Sequence, residues 1–273
     1  MTLATSTLQV DTHAHVFLRS LPLVPNRRYE LTIDAPLSEY LAHLDANGFT
    51  HGVLIQPSFL GTDNSFLIEA LALSQGRLRG VVVVDTDIAH SELAAMDKAG
   101  VAGIRLNLVG KEVPDFSTPD WQGFLSQIRQ LDWHVEVHAL AEHLPAIVPS
   151  LLACGVRIVI DHFGRPDVTQ GIADPGFQFL LSCASSRQVW VKLSAGYRLG
   201  AKGSQLPKEA ASCLLNTFGP ERLLWGSDWP HTMHEKEVKY QETLQAFHEW
   251  IPNPEDRHHI LNTTPAELFR ITA

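Results

Sequence analysis

Two imidazoles spaced i, i+2 in Asp11-Thr12-His13-Ala14-His15 end an apolar lead-in of Leu8 and Val10. In an extended strand that spacing puts both rings on one face, where they can hold a metal ion or polarise a carbonyl oxygen. Two surface histidines near an irregular terminus would share so short a pattern. The functional reading is favoured by residues further along the chain: Arg105 with Asn107, His138, Asp161-His162, Ser194 and Ser227-Asp228 each close a β-rich run. Imidazoles and a carboxylate brought to one point could deprotonate a water and stabilise the oxyanion formed on an attacked carbonyl. Asp228 is the candidate base. His13, His15 and His162 are the candidate polarising groups or, with a cation bound, its holders.

Such groups need a scaffold that gathers strand ends. Runs at 8–13, 51–56, 78–84, 101–106, 134–138, 156–161, 189–193 and 222–225 read as strands. Between them, 37–47, 64–75, 91–98, 119–131, 141–153, 175–183, 207–217 and 236–250 read as helices. Thr118-Pro119 supplies a cap and a first helical residue, and Asn47-Gly48 and Cys154-Gly155 supply stops. Thr264-Pro265-Ala266-Glu267 reads as a capping box opening a short C-terminal helix. Eight strand-then-helix units over a single domain, 1–273, predict an α/β fold of the (β/α)8 TIM-barrel type, with its chemistry at the C-terminal ends of the strands. An open doubly wound sheet is the alternative, but no Gly-x-Gly-x-x-Gly follows the first strand. The long non-periodic stretch 17–36 after that strand belongs over the barrel mouth.

Composition narrows the function. With 273 residues, 45% hydrophobic and 19% charged, the chain can bury a full core. A net charge of -9 argues against a nucleic-acid surface. The cysteines Cys154, Cys183 and Cys213 are scattered and odd in number, which fits a reducing cytoplasm rather than a disulfide framework. Residues 1–9 lack a basic start followed by an apolar run, and no apolar stretch is long enough to span a bilayer, so neither secretion nor a membrane partner is expected. No Gly-x-Ser-x-Gly elbow is present.

Cations near the predicted mouth point to an anionic substrate. Arg105 and Lys111 follow the fourth strand, Arg198 follows the seventh, and Tyr29 lies in the first loop. Together they could grip one or two carboxylates, with arginine giving bidentate contacts. Ser58, His138 and His231 are further contact candidates. Glu136 and Lys192 fall one inward layer below His138 and Ser194 and read as a buried ion pair, while Arg165 with Asp167 reads as a tie within the loop after the sixth strand.

In order along the chain, Asp11-Thr12-His13-Ala14-His15-Val16-Phe17, Arg28-Tyr29, Asp34-Ala35-Pro36, Gly61-Thr62-Asp63-Asn64, Gly103-Ile104-Arg105-Leu106-Asn107, Asp161-His162-Phe163-Gly164-Arg165-Pro166-Asp167 and Trp225-Gly226-Ser227-Asp228-Trp229-Pro230-His231 resemble the amidohydrolase superfamily. More narrowly they resemble its 2-pyrone-4,6-dicarboxylate lactonase branch. The resemblance implies the barrel, hydrolysis of a cyclic ester with Asp228 as base, and catalysis without a metal. It also implies a tyrosine at the position of His138 and an arginine at that of Lys111, and these departures bear on which acid is bound. The cofactor reading is therefore no obligatory metal, the alternative being one divalent cation such as zinc on His13, His15, His138 and Asp228. A metal-dependent sugar-acid lactonase, a non-oxidative decarboxylase and a silent anion-binding barrel are the competing functions. The partner expected is a small carboxylated molecule, and a homo-oligomer is left open.

Overall fold

In the computed structural model, residues 8–25, 27, 29–201 and 203–272 are described. Arg28 of the Arg28-Tyr29 motif and residues 1–7 of the N-terminal stretch lie outside them.

Eight strands, β1 (Val10–Ala14), β2 (His51–Ile55), β3 (Leu78–Val82), β4 (Val101–Asn107), β5 (His134–His138), β6 (Arg157–Ile160), β7 (Val189–Ser194) and β8 (Leu223–Gly226), pair in parallel in chain order. Parallel strands buried on both faces are largely apolar, and the polar residues that interrupt β1, β4, β5 and β7 are buried as well. Closure of the barrel comes just past β8, where Asp228 N donates to His13 O at 2.8 Å and His15 N to Trp229 O at 2.8 Å. The (β/α)8 barrel expected from the alternation is the observed fold.

The helices α1 (Leu37–Ala46), α2 (Ser65–Leu73), α3 (His90–Lys98), α4 (Pro119–Gln130), α5 (Leu144–Ala153), α6 (Pro175–Ser182), α7 (Leu206–Phe218) and α8 (Tyr240–Trp250) alternate with the strands. In α5 the buried set Leu144, Ile147, Val148 and Leu151 repeats at i, i+3, i+4, i+7, the stripe that seats a helix on a sheet. Inside the barrel, Val10, Val53, Ile55, Val81, Val159 and Leu224 form a separate apolar floor, to which Leu268, Phe269 and Ile271 are added from the C-terminal segment. That floor supports the polar layers above it.

Three boundaries depart from the sequence reading. The helix placed at 236–250 begins only at Tyr240, and 141–143 form a 3-10 turn ahead of α5. The C-terminal helix is longer than expected: α9 (Pro254–His258), a π-helical turn (His259–Thr263) and α10 (Thr264–Leu268) run on without a break. Thr264 is consequently no cap, and its hydroxyl donates to Pro220 O at 3.0 Å. Pro265 has no N–H for the preceding turn, and the wider π turn is where that missing bond is absorbed. No described helix is long and apolar enough to cross a membrane.

Candidate active site

Val10 belongs to the barrel floor, yet His13, an odd number of residues later, also points inward to meet Glu136, Asp161 and Lys192. A strict period of two forbids this. A register shift between Asp11 and Ala14 resolves it by letting β1 switch faces below the histidines. Asp11, fully buried, fixes the switch by accepting from Ser227 N at 2.9 Å, Ser227 Oγ at 2.7 Å and Tyr240 Oη at 3.0 Å. Around the mouth, several non-glycine residues take left-handed backbone angles, among them His162 (φ 52°), Arg165 (φ 50°), Ala195 (φ 53°) and Asp228 (φ 60°). Such conformations are costly and cluster where side chains must be aimed.

The candidate base sits between the paired imidazoles. Asp228 Oδ1 lies 3.5 Å from His13 Nε2 and 3.5 Å from His15 Nε2, and the two rings meet edge-on at 5.0 Å between centroids. Asp228 Oδ2 accepts from Tyr197 Oη at 2.5 Å and lies 3.5 Å from Arg198 Nε. Burial pushes this carboxyl up, but the polar groups around it, with the Arg198 guanidinium as the standing cation among them, outweigh burial and hold it well below the usual range. His162 shares a 2.8 Å hydrogen bond with Ser194 Oγ through Nδ1, its ring 4.8 Å from that of His13. Burial holds His162 down to about 3, so it is neutral at physiological pH.

Below lies an ionic layer. Arg105 donates from Nε at 3.0 Å and Nη2 at 2.8 Å to Asp161 Oδ2. Lys192 donates to Glu136, forming the buried pair read from strand periodicity, and also to His13 Nδ1 at 3.2 Å. Burial and the Asp161 charge push Glu136 up to about 8 despite Lys192 and Arg105. Asp161 goes the other way, because the cations Arg105 and Lys192 beside it overcome its burial.

Above, a narrow polar pocket is lined by His15, Tyr29, Ser58, Arg105, His138, His162, Arg165, Arg198 and Asp228 among others. Most of the sequence-derived candidates thus converge. Three are placed differently. Lys111 is exposed on the loop after β4, outside the pocket lining. His231 is buried beside Tyr197, their rings 5.7 Å apart, and neither of its ring nitrogens has a partner among the described residues. His138 lines the pocket but stands apart from His13, His15 and Asp228 as a ligand: its Nδ1 meets Asn107 Oδ1 at 3.2 Å and its Nε2 accepts from Arg165 Nη1 at 3.1 Å.

The reading of Arg165 as a loop tie to Asp167 also changes. Asp167 accepts instead from Thr169 N at 2.8 Å and Gln170 N at 3.1 Å, and Arg165 turns into the pocket. Tyr197 is a site residue that the sequence reading misses. Its only signal there is its place three residues past Ser194, next to Arg198.

Residues 10–271 match the amidohydrolase family. The chain belongs to that family. Among amidohydrolases with assigned activities, it is 32% identical to a 2-pyrone-4,6-dicarboxylate hydrolase of Comamonas testosteroni over 95% of this chain and 89% of that protein. It is 30% identical to a 4-sulfomuconolactone hydrolase of Rhizobium radiobacter over 96% of this chain and 89% of that protein. A solved structure from Acinetobacter baumannii, described as a probable 2-pyrone-4,6-dicarboxylic acid hydrolase with citric acid bound, superposes with a TM-score of 0.93 at 40% identity, covering 96% of this chain and 99% of that one.

Whether this amidohydrolase site suits a divalent cation has two answers. By spacing it does: His13, His15 and Asp228 offer ligand atoms close together, and 3.5 Å between them is near the edge of a small coordination sphere. By donor character the answer turns on His13, whose Nδ1 lies 3.2 Å from Lys192 Nζ as well as 3.4 Å from Asp161 Oδ1. A neutral ring that accepts at Nδ1 carries its own hydrogen on Nε2 and has no lone pair there to give.

Proposed function

We propose that this amidohydrolase opens the ring ester of a small carboxylated lactone of the 2-pyrone-4,6-dicarboxylate kind, without an obligatory metal. The observation that carries this reading is a buried carboxylate, Asp228, flanked at 3.5 Å by two imidazoles beneath a pocket lined by Arg105, Arg165 and Arg198. The guanidinium hydrogens left over from the Arg105–Asp161 and Arg198–Asp228 contacts, together with Arg165, Tyr29 and Ser58, would take the substrate carboxylates through charge-assisted hydrogen bonds. Asp228 then accepts a proton from water as its oxygen attacks the ring carbonyl. His13, His15 and His162 surround the water and the carbonyl, and an imidazole N–H stabilises the tetrahedral oxyanion. As the C–O ring bond breaks, the proton held by Asp228 passes to the departing oxygen, leaving a carboxylate and a ring-opened product.

Relatives support the substrate class. The named activities concern lactones bearing carboxylate or sulfo groups, and a polycarboxylic acid occupies the Acinetobacter structure. The spacing of His13, His15 and Asp228 favours one second reading, a metal-dependent sugar-acid lactonase of the same superfamily. A panel containing 2-pyrone-4,6-dicarboxylate, 4-sulfomuconolactone and uncharged sugar lactones, assayed with and without chelator, separates the two. Turnover confined to the anionic lactones and indifferent to chelator is the expected result. Activity on sugar lactones that disappears with chelator and returns with zinc gives the second reading, and no lactone turnover rejects both.

A further inference from the structure

The two imidazoles facing Asp228 have opposite polarity. His15 Nδ1 lies 2.8 Å from Ile55 O, which can only accept, so Nδ1 carries the hydrogen, and the lone-pair nitrogen of the uncharged ring form is Nε2, 3.5 Å from Asp228 Oδ1. His13 is reversed. Lys192 Nζ, 3.2 Å from His13 Nδ1, has only hydrogens to give, and although Asp161 Oδ1 (3.4 Å) and Glu136 Oε1 (3.6 Å) also face Nδ1, neither makes a hydrogen bond with it, which places the ring hydrogen on Nε2. That Nε2 is buried, 3.5 Å from the same Oδ1, and has no hydrogen-bond partner among the described residues. Lys192 itself is fully buried, is tied to Glu136 and does not line the pocket.

We propose that Lys192 is a positioning residue that fixes the His13 tautomer, and that it thereby makes the space between His13, His15 and Asp228 a seat for a water molecule rather than for a divalent cation. A water there gives its two hydrogens to Asp228 Oδ1 and His15 Nε2 and accepts one from His13 Nε2. Its remaining lone pair is free to attack a carbonyl carbon. A cation would instead need a lone pair from all three side chains. Without Lys192, His13 Nδ1–H can turn to Asp161 Oδ1, already 3.4 Å away, which frees Nε2 and supplies the carboxylate–histidine support that metal ligands use. The inference deepens the proposed hydrolysis and rests on it only for the role of the water; tautomer and metal preference can be read whatever the substrate is.

The test has two arms. In wild-type protein carrying 15N-histidine, with the His13 signals assigned against His13→Gln, NMR is expected to show Nδ1 without hydrogen and Nε2 with it. A hydrogen on Nδ1 overturns the proposal. In chelator-treated protein, zinc titration of Lys192→Met/Glu136→Gln, which removes the Lys192 donor together with the carboxyl it is tied to, is expected to show affinity at least about tenfold above wild type. Glu136→Gln alone, which keeps Lys192, should remain within about twofold of wild type. Equal zinc affinity in wild type and the double variant overturns the proposal, and the wild-type NMR decides it alone if the double variant does not fold.

Discussion

Asp228 is 3% exposed and still ionised, because the Arg198 guanidinium and the polar groups around it outweigh the desolvation that opposes its charge. Replacing it by asparagine preserves shape and most hydrogen bonding but removes the proton acceptor. Lactone turnover by Asp228→Asn should fall about 10²- to 10⁴-fold, the usual worth of a positioned base, with the melting temperature close to wild type. Turnover within a few-fold of wild type would remove Asp228 from the chemistry. At the rim, His138 Nε2 accepts from Arg165 Nη1 and so helps to aim the guanidinium into the pocket. In His138→Phe that hold is lost, so KM for a carboxylated lactone should rise about tenfold, as for loss of one charge-assisted hydrogen bond, while kcat changes little. A drop in kcat at constant KM would place His138 in the chemical step instead. These two residues also mark how far sequence can reach. Asp228 is legible because it ends a strand in a recognisable run. Arg165 is not, because its left-handed backbone, which turns it away from Asp167 and into the pocket, has no marker in residue type.

Among the elements, β1 and β8 set the site, because their junction carries His13, His15 and Asp228 on adjoining backbones. The eight strands are readable from sequence to within a residue or two, since short runs rich in β-branched and other apolar residues alternate with helical patterns. The start of α8 and the joined α9–α10 segment are not, because solvated turns and a π turn hold no comparable pattern. The face switch in β1 is hidden for a different reason: it depends on pairing with β2, which is long-range. Gly226 in β8 tests how tightly this junction is built. A Cβ there would lie 2.4 Å from His13 Cβ and 2.7 Å from His13 N, and backbone on that side cannot swing away as a flexible side chain would. Gly226→Ala is therefore expected to destabilise the protein by about 1–3 kcal/mol, as overpacking does, and to lower activity more than a surface substitution of equal stability cost because the displaced atom belongs to His13. Denaturant unfolding with parallel activity assays checks both parts. A fully stable and active Gly226→Ala protein would show that the junction is looser than its distances indicate.

Across the whole molecule, the barrel interior holds its histidines neutral, and that makes stability depend on pH in a definite direction. Burial, assisted by neighbouring cations, keeps His13, His134 and His138 well below their ordinary value, His162 down to about 3 and His231 down to about 4. In the unfolded chain these rings titrate near 6.5. Below that pH the unfolded state binds protons that the folded state refuses, so their contribution is complete above about 6.5 and is lost as pH falls toward the folded values. Glu136, pushed up to about 8, acts oppositely, its contribution fading as pH rises from about 4.5 to 8. The five imidazoles, joined on the acid side by the depressed carboxyls of Asp161 and Asp228, outweigh the raised carboxyls of Glu136 and Asp11. Calorimetry should find the highest melting temperature near neutrality, a shallow decline above it and a steep fall below pH 6. His134 isolates one unit of that slope: it packs edge-on against Phe269 at 5.2 Å, away from the pocket, and neither ring nitrogen hydrogen-bonds a described side chain. An apolar replacement leaves no stranded group there. His134→Leu should flatten the acid limb by about 1.4 kcal/mol per pH unit, one proton's worth, while lactone turnover stays near wild type. An acid limb as steep as wild type would mean that His134 is already protonated in the folded barrel.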